Sequence, residues 1–414
     1  MSKPPRYFYG WTIVAVCLVT GTAIWGTRYS YGVFFTSIEH EFDLSRGATS
    51  AVFSVYMLLG SLVTVAWGLA SDRWGPRWTV MAMGAITGAS LIISGQVNAY
   101  WQLFFSYSLL FALGTAGTYT VLMSLVSKWF ARRRGLALGI GGAGSGLGTL
   151  LVSPLSAWLI LLLGWRESYL VMGSLVIALV VPLSMLLKRD PSVMGLQPDG
   201  ANAETAVVAP SPGETPVKGR TSTAANVGLR GALRTPSFWL LWLSYFLAAV
   251  CIHLVTTHVV PRAVDAGVST EVAAGVLSVV GGLSIPGRIF AGRASDLRGR
   301  RLVSVGSAML GAAAMLWLVW APGSLGFYLF AAAFGLSWGG VVTMITAMVS
   351  DVFGTRSMGS VMGAVSIAWV IGGAVGPVVG GYIFDAVGSY SPAFFAGAGA
   401  MALGAVLLAP VGRK

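Results

Sequence analysis

Charge is the scarcest commodity in this sequence, and negative charge above all. Only 14 Asp and Glu residues stand among 414, and all of them fall in polar loops or at the ends of apolar runs. Charged residues make up 10% of the chain, against about 25% in a soluble domain. There are two cysteines, Cys17 and Cys251, each inside an apolar run, where the expected role is that of a small packing side chain. Three histidines and two separated cysteines exclude a metal centre or a nucleophile–base constellation, so neither enzymatic chemistry nor a cofactor is expected.

What the chain has instead is hydrophobic length. Hydrophobic residues account for 56% of it and the mean hydropathy is +0.78. Apolar spans of about 20 residues recur throughout, the mark of a polytopic helical membrane protein. Twelve spans are expected, roughly 11–35, 48–70, 78–97, 100–126, 135–161, 167–187, 237–262, 270–292, 301–320, 324–349, 359–384 and 391–411. Both termini then lie on one side. Of the 26 Lys and Arg residues, 21 fall on that side, three (Arg46, Arg166, Arg262) on the other, and two (Arg28, Arg288) inside spans. By the positive-inside rule the termini are cytoplasmic. The net charge of +12 is therefore topological and implies no nucleic-acid partner. Lys3 and Arg6 precede a long apolar run without a small-residue cleavage site, which reads as an uncleaved first helix. The expected location is the plasma membrane, or the inner membrane of a bacterium.

Residues 188–236 form the one long polar stretch, rich in Ala, Pro, Gly, Thr and Val, and read as a cytoplasmic linker between six-helix bundles at 1–187 and 237–414. The two halves repeat at a nearly fixed offset. Gly68-Leu-Ala-Ser-Asp72-Arg73 recurs as Gly292-Arg-Ala-Ser-Asp296-Leu297, 224 residues on; Phe111, Ser127 and Pro154 recur as Phe334, Ser350 and Pro377, each 223 residues on. Parallel repeats of this kind mark a transporter with its substrate between the halves, near the midplane.

The loop Gly68-x-x-x-Asp72-Arg73-x-Gly75-Pro76-Arg77, with its repeat Gly292-x-x-x-Asp296-x-x-Gly299-Arg300-Arg301, resembles the signature loop of the major facilitator superfamily. The resemblance extends over essentially the whole chain and implies an all-α membrane fold of twelve helices. It assigns Asp72, Arg73, Arg77, Asp296 and Arg300 to a conformational lock, in which an Asp near a helix end pairs with nearby Arg. Three further stretches are more specific. The fifth span opens Trp129-Phe-Ala-Arg-Arg-Arg134-Gly-Leu-Ala-Leu-Gly-Ile-Gly-Gly-Ala-Gly-Ser145; the linker ends Arg234-Thr-Pro-Ser-Phe-Trp239; and His258-Val-Val-Pro-Arg-Ala-Val-Asp265 is followed by Gly281-Gly-Leu-Ser-Ile-Pro-Gly287-Arg288. Together they resemble bacterial relatives of monocarboxylate carriers and oxalate:formate antiporters. The resemblance implies transport of a short organic anion, with a proton in the monocarboxylate branch, by a carrier that works as a monomer. The glycines of 139–148 follow no strand and precede no Lys-Ser/Thr pair, so they are expected to bring helices together and not to cradle phosphate.

Arg288 is the leading candidate for substrate contact. An arginine inside a span costs at least about 2.5–3.5 kcal/mol on insertion scales and so faces protein or a wet cavity. The oxalate branch is expected to carry a second cation in the eleventh span, but residues 359–384 hold no Lys or Arg. A dianion in a low-dielectric cavity wants two cations, so this departure favours a monocarboxylate such as lactate or pyruvate. Arg28 is a second candidate contact, although its position toward the outer end of the first span predicts pairing with Asp265 or an outward-reaching side chain.

An electroneutral carrier needs a proton beside its anion, because each charge moved costs about 2.3 kcal/mol per 100 mV. The candidates to carry it are Asp265, His258 and His253, on or just beyond the seventh span. His258 and Asp265 fall two turns apart on one face and suggest a relay toward the outer mouth. Tyr119, Tyr29, Tyr31, Ser145, Trp338 and Trp369 could line the pocket. A proton-driven exporter of apolar compounds is the main rival. Such exporters carry Gly-Pro-x-x-Gly in the fifth span, where this chain has Ser153-Pro154-Leu155-Ser156, and place an acid in the first spans, which is absent here.

Overall fold

The computed structural model describes residues 8–130, 133–198, 229–353 and 358–411, without the side chains of residues 65, 72, 134, 135 and 358–360. The described residues form helices and no strand. In the first half these are α1 (Gly10–Tyr29), α2 (Tyr31–Glu41), α3 (Arg46–Trp74), α4 (Pro76–Ser94), α5 (Tyr100–Leu103), a π-helical stretch (Phe104–Phe111), α6 (Ala112–Thr115), α7 (Thr118–Trp129), α8 (Arg134–Gly142), α9 (Gly144–Leu163) and α10 (Trp165–Ser184). A 3₁₀ turn (Pro191–Met194) and the short α11 (Leu229–Ala232) flank the polar stretch, most of which lies outside the described residues. The second half comprises α12 (Pro236–Asp265), α13 (Thr270–Arg298), α14 (Arg300–Trp320), α15 (Gly323–Phe353), α16 (Met358–Val387) and α17 (Ser391–Leu408). Eleven helical segments among the described residues are long and apolar enough to cross a membrane, with α1–α2, the stretch from α5 to α7 and α8–α9 each counted as one. The expected third span is the 19-residue α4, which opens on Pro76-Arg77.

The repeated loops fold alike. Gly75 and Gly299 end α3 and α13 with φ of 85° and 84°, and each also begins the next helix. A side chain is strained at such angles, so glycine recurs there in both halves. The fourth span is less regular than its hydropathy suggests: its π-helical stretch is followed by a break at Ala116 and Gly117, where Gly117 has φ 78°.

Small residues set the spacing of the helices. A Cβ on Gly287 would lie 2.5 Å from Leu336 O, and one on Gly335 2.5 Å from Val280 O, so α13 and α15 meet almost backbone to backbone. Gly339 presses on Ser284 O, and its Cβ would lie 2.8 Å from Arg288 N. The turn that carries Arg288 is thus positioned by a glycine on the neighbouring helix.

The halves meet through α3 against α16, α9 against α13, and α2 against α12. Contact is tight on the side away from the termini and loosens toward them. In α16 a Cβ at Gly373 would strike Met57, and one at Gly381 would lie 2.5 Å from Arg46 O, whereas one at Gly363 would meet nothing within 4 Å. In α9 and α8, Gly146 is pressed by Ile285 and Gly139 is open. The space between the halves therefore opens toward the termini and is closed at the far end.

A polar latch closes that far end. Arg46, 8% exposed, places two guanidinium nitrogens on Asp265, at 2.5 and 2.8 Å, and Nε on Glu39 at 3.0 Å. Its Cζ lies 3.8 Å from the centre of the Phe384 ring. Asp385 of α16 accepts from the backbone N–H groups of Arg46 and Gly47, each at 2.8 Å. These are orphan donors at the start of α3, so a carboxylate from one half caps a helix of the other. The expected pairing of Asp265 with Arg28 is therefore corrected: Asp265 is held by Arg46, whose place at the helix start brings it closer.

Two outcomes test this arrangement. Asp385→Ala removes the shared cap, at a cost of about 1 kcal/mol, and should enlarge the population opened at the far end roughly fivefold. Distances between spin labels on exposed His40 and Val387 read this directly, and an unchanged distribution would remove the latch role. Gly339→Ala should lower the melting temperature by about 1–4 °C, because overpacking costs about 1–3 kcal/mol. An unshifted melting curve would mean that the α13–α15 approach tolerates a methyl group.

Candidate functional site

Two arginines reach into the interface from opposite halves. Arg288, on α13, extends Nη2 to Ser145 Oγ of α9 at 3.2 Å. Arg28, near the end of α1, extends Nη2 to His253 Nε2 of α12 at 3.3 Å and to Met57 Sδ at 2.9 Å. Both are partly buried, and each has a buried Nε without a hydrogen-bond partner. Among the described residues no ion pair involves either of them. A guanidinium carries five donors and no acceptor, and one out of water normally claims a carboxylate. These two are met by a hydroxyl, a thioether and a neutral ring nitrogen.

Arg28 thus does not reach outward, as its position along the span suggested. α1 ends at Tyr29, and the chain restarts as α2 after Ser30. At that junction the guanidinium turns inward, 5.2 Å above the Tyr29 ring and 5.7 Å above that of Tyr56. Tyr29 packs edge-on against Trp338 of α15 at 5.4 Å. Trp369 of α16 contacts both His253, at 5.0 Å, and Tyr245, at 5.2 Å. Tyr245 is close enough to Arg288 to feel its charge. Tyr245 precedes His253 by eight residues on α12, about 12 Å of helix at ~1.5 Å per residue. One aromatic wall therefore runs between the two arginines, with Arg288 at the level nearer the open end and Arg28 deeper. Tyr119 packs against Trp25 at 6.1 Å and is 62% exposed on the open side. Tyr31 belongs elsewhere: it is buried among Phe53 and Tyr107 and donates to Thr49 O at 2.7 Å.

The two membrane histidines have different surroundings. His258 Nε2 lies 2.8 Å from Pro377 O and 3.3 Å from Ser50 Oγ, and Nδ1 lies 2.9 Å from Tyr390 Oη. A carbonyl can only accept, so Nε2 carries the hydrogen and Nδ1 accepts from Tyr390. Every polar atom of this ring is satisfied beneath the far-end latch. Asp265 is occupied by Arg46 and makes no hydrogen bond with His258, so the predicted His258–Asp265 relay is not assembled. His253 is fully buried, with Nδ1 3.0 Å from Ala249 O and Nε2 facing the donor of Arg28. Its hydrogen is on Nδ1, and Nε2 accepts.

The residues assigned to the lock lie at the open end. Arg73 and Asp296 are exposed. Arg300 pairs with Asp351 at 2.6 Å and with Ala347 O at 2.7 Å, within its own half. Arg77 lies over the Trp78 ring at 5.2 Å, and the side chain of Asp72 lies outside the description. The sequence reading missed Tyr245, Tyr56, Met57 and Asp385. Tyr245 alone had a visible signal, its helical spacing from His253; the others are placed by packing between the halves.

A model of the Major Facilitator Superfamily matches residues 16–377. The chain is 28% identical to monocarboxylate transporter 12 of Rattus norvegicus, over 98% of this chain and 86% of that protein. It is 27% identical to monocarboxylate transporter 13 of Bos taurus, over 99% and 90%, and 26% identical to monocarboxylate transporter 11 of Homo sapiens, over 95% and 81%. Among solved structures, a bacterial homologue of the human lysosomal transporter Spinster, in an inward-facing and unoccupied conformation, superposes with a TM-score of 0.68 at 16% identity. It covers 99% of this chain and 95% of that one, a likeness of fold. Eleven membrane-crossing helical segments among the described residues, an internal repeat, two helical halves and a family match over most of the length agree: the chain is a multi-pass membrane transporter and belongs to the major facilitator superfamily.

Proposed function

We propose that this transporter carries short monocarboxylates of the lactate and pyruvate class together with a proton, by alternating access, with both termini in the cytoplasm. The observation that carries this reading is the pair of interfacial arginines without acids. A cavity that holds uncompensated guanidinium groups selects an anion, because an anion supplies the partner the protein withholds. Arg288 stands nearer the open end and is the carboxylate anchor, with Ser145 Oγ beside it. Tyr119, Tyr29, Trp369 and Tyr245 supply the apolar wall and hydroxyl groups suited to a 2-oxo or 2-hydroxy acid. The names of the relatives support a monocarboxylate. The excess of basic residues on the terminal side supports this orientation, in which the opening between the halves faces the cytoplasm.

A second reading has one observation in its favour. Arg28 supplies the second cation that the eleventh span lacks, which suits an exchanger of small dianions such as oxalate. The lock residues Asp72, Arg73, Arg77, Asp296 and Arg300 would then engage, in either case, when the cytoplasmic side closes.

The test is uptake of labelled L-lactate, pyruvate, formate and oxalate into liposomes, with and without an inside-alkaline pH gradient. Lactate or pyruvate accumulation that collapses with the gradient is the expected outcome; gradient-independent oxalate–formate exchange would select the second reading. Uptake of none of the four would remove the anion assignment and leave the exporter of apolar compounds. Arg288→Ala should reduce lactate uptake at least thirtyfold, equivalent to about 2 kcal/mol, while the protein remains folded. Arg288→Lys should restore little, since an ammonium cannot reproduce the planar two-pronged contact. Normal uptake by either variant would displace Arg288 as the anchor.

A further inference from the structure

Arg28 and His253 have no role in an anchor built on Arg288 alone, yet their arrangement is specific. Arg28 spends a strong donor on two weak acceptors, Met57 Sδ at 2.9 Å and His253 Nε2 at 3.3 Å, and its buried Nε has no partner. The groups around the Arg28–His253 pair leave nothing acidic to balance a second positive charge. From α1 come Arg28 and Tyr29; from α3 Phe53, Tyr56 and Met57; from the π-helical stretch Tyr107, near Arg28; from α16 Trp369 and Gly373; and from its own helix Ala249 O. Gly373 is part of the construction. A Cβ there would strike Met57 and lie 3.1 Å from His253 Cε1, so the ring and the thioether occupy space that only glycine leaves.

We propose that Arg28 and His253 form a second carboxylate station, deeper than Arg288, at which the anion and its accompanying proton are taken up in one event. This rests on the monocarboxylate reading and assigns the proton within it. In the empty state His253 accepts from Arg28, so Nε2 has no proton and the local charge is +1. A carboxylate that enters replaces Nε2 as the acceptor for Arg28. The freed Nε2 lone pair takes a proton from a hydronium ion of the cavity water that enters with the anion, whose O–H bond breaks to leave water, and the new N–H donates to the same carboxylate. No covalent bond other than that N–H is made. The charge is then +1 from Arg28, −1 from the carboxylate and +1 from the imidazolium, the same total as before. A proton without the anion would set two cations 3.3 Å apart, in a site with no water-exposed ring surface. Each ligand therefore favours the other to the same degree, as linkage requires. His258 cannot play this part, since all its ring atoms are engaged, and neither can Asp265, which is committed to Arg46.

The chain contains three histidines, which makes a direct observation practical on the unaltered protein. With ¹⁵N-labelled histidine, nitrogen spectra of the full chain in lipid are recorded before and after addition of saturating L-lactate at constant pH. The expected result is that one ring changes from a neutral, Nδ1-protonated pattern to imidazolium, that the signal is absent in His253→Gln, and that proton uptake measured with a pH-indicator dye is about one per lactate bound. Binding of lactate with all three rings unchanged, or a new imidazolium that persists in His253→Gln and disappears in His258→Gln, would overturn the assignment. Failure of the unaltered protein to bind lactate would instead refute the monocarboxylate reading, so the two failures are distinct.

Discussion

A guanidinium cannot shed its charge, and a low-dielectric interior penalises any charge left without a partner. That constraint organises this transporter. Only 14 acids are present, and those near the far end of the interface are already committed, Asp265 and Glu39 to Arg46 and Asp385 to the start of α3. Nothing is left over for Arg28 and Arg288. The unequal distribution of acids makes one end of the interface a closed, ion-paired latch and leaves the middle positively charged and without an acid. An anion is the natural complement to that middle.

The same division gives the two ends different mechanical characters. At the latch, Asp265 and Asp385 make charge-assisted contacts to the start of α3 that cross between the halves. In the middle, the contacts that cross are weak: a hydroxyl at Arg288 and a ring nitrogen at Arg28. A bound carboxylate would strengthen these contacts, which is the differential interaction a ligand needs in order to shift a conformational equilibrium. Glycine supports both regions. Gly381 lets α16 approach Arg46 at the latch, and Gly339 fixes the turn that carries Arg288.

Much of this was legible in the sequence, for reasons that can be named. Hydrophobic length fixes helices in a membrane almost without regard to context, so the spans could be read from it. The repeated loop foretold a repeated conformation because Gly75 and Gly299 serve the same left-handed turn. Arg288 was legible as an interior group because lipid admits so few charges. The partner of Arg28 was not legible. Linear depth placed Arg28 and Asp265 at the same outer level, but the junction at Ser30 turns Arg28 inward and the start of α3 delivers Arg46 to Asp265 first. The break at Gly117 was equally hidden, because hydropathy does not register a change in backbone conformation. Asp385 read as a loop acid, since its role as a cap exists only once two helices 339 residues apart in sequence have met.

The central claim is that anion and proton cross together, so that transport moves no net charge. It is tested most directly by the current that follows a lactate concentration jump on proteoliposomes adsorbed to a solid-supported membrane, compared with dye-reported acidification of their lumen. The account predicts acidification in step with lactate entry and no sustained current, whatever the imposed potential. A steady current that scales with lactate flux, or lactate entry without acidification, would contradict it.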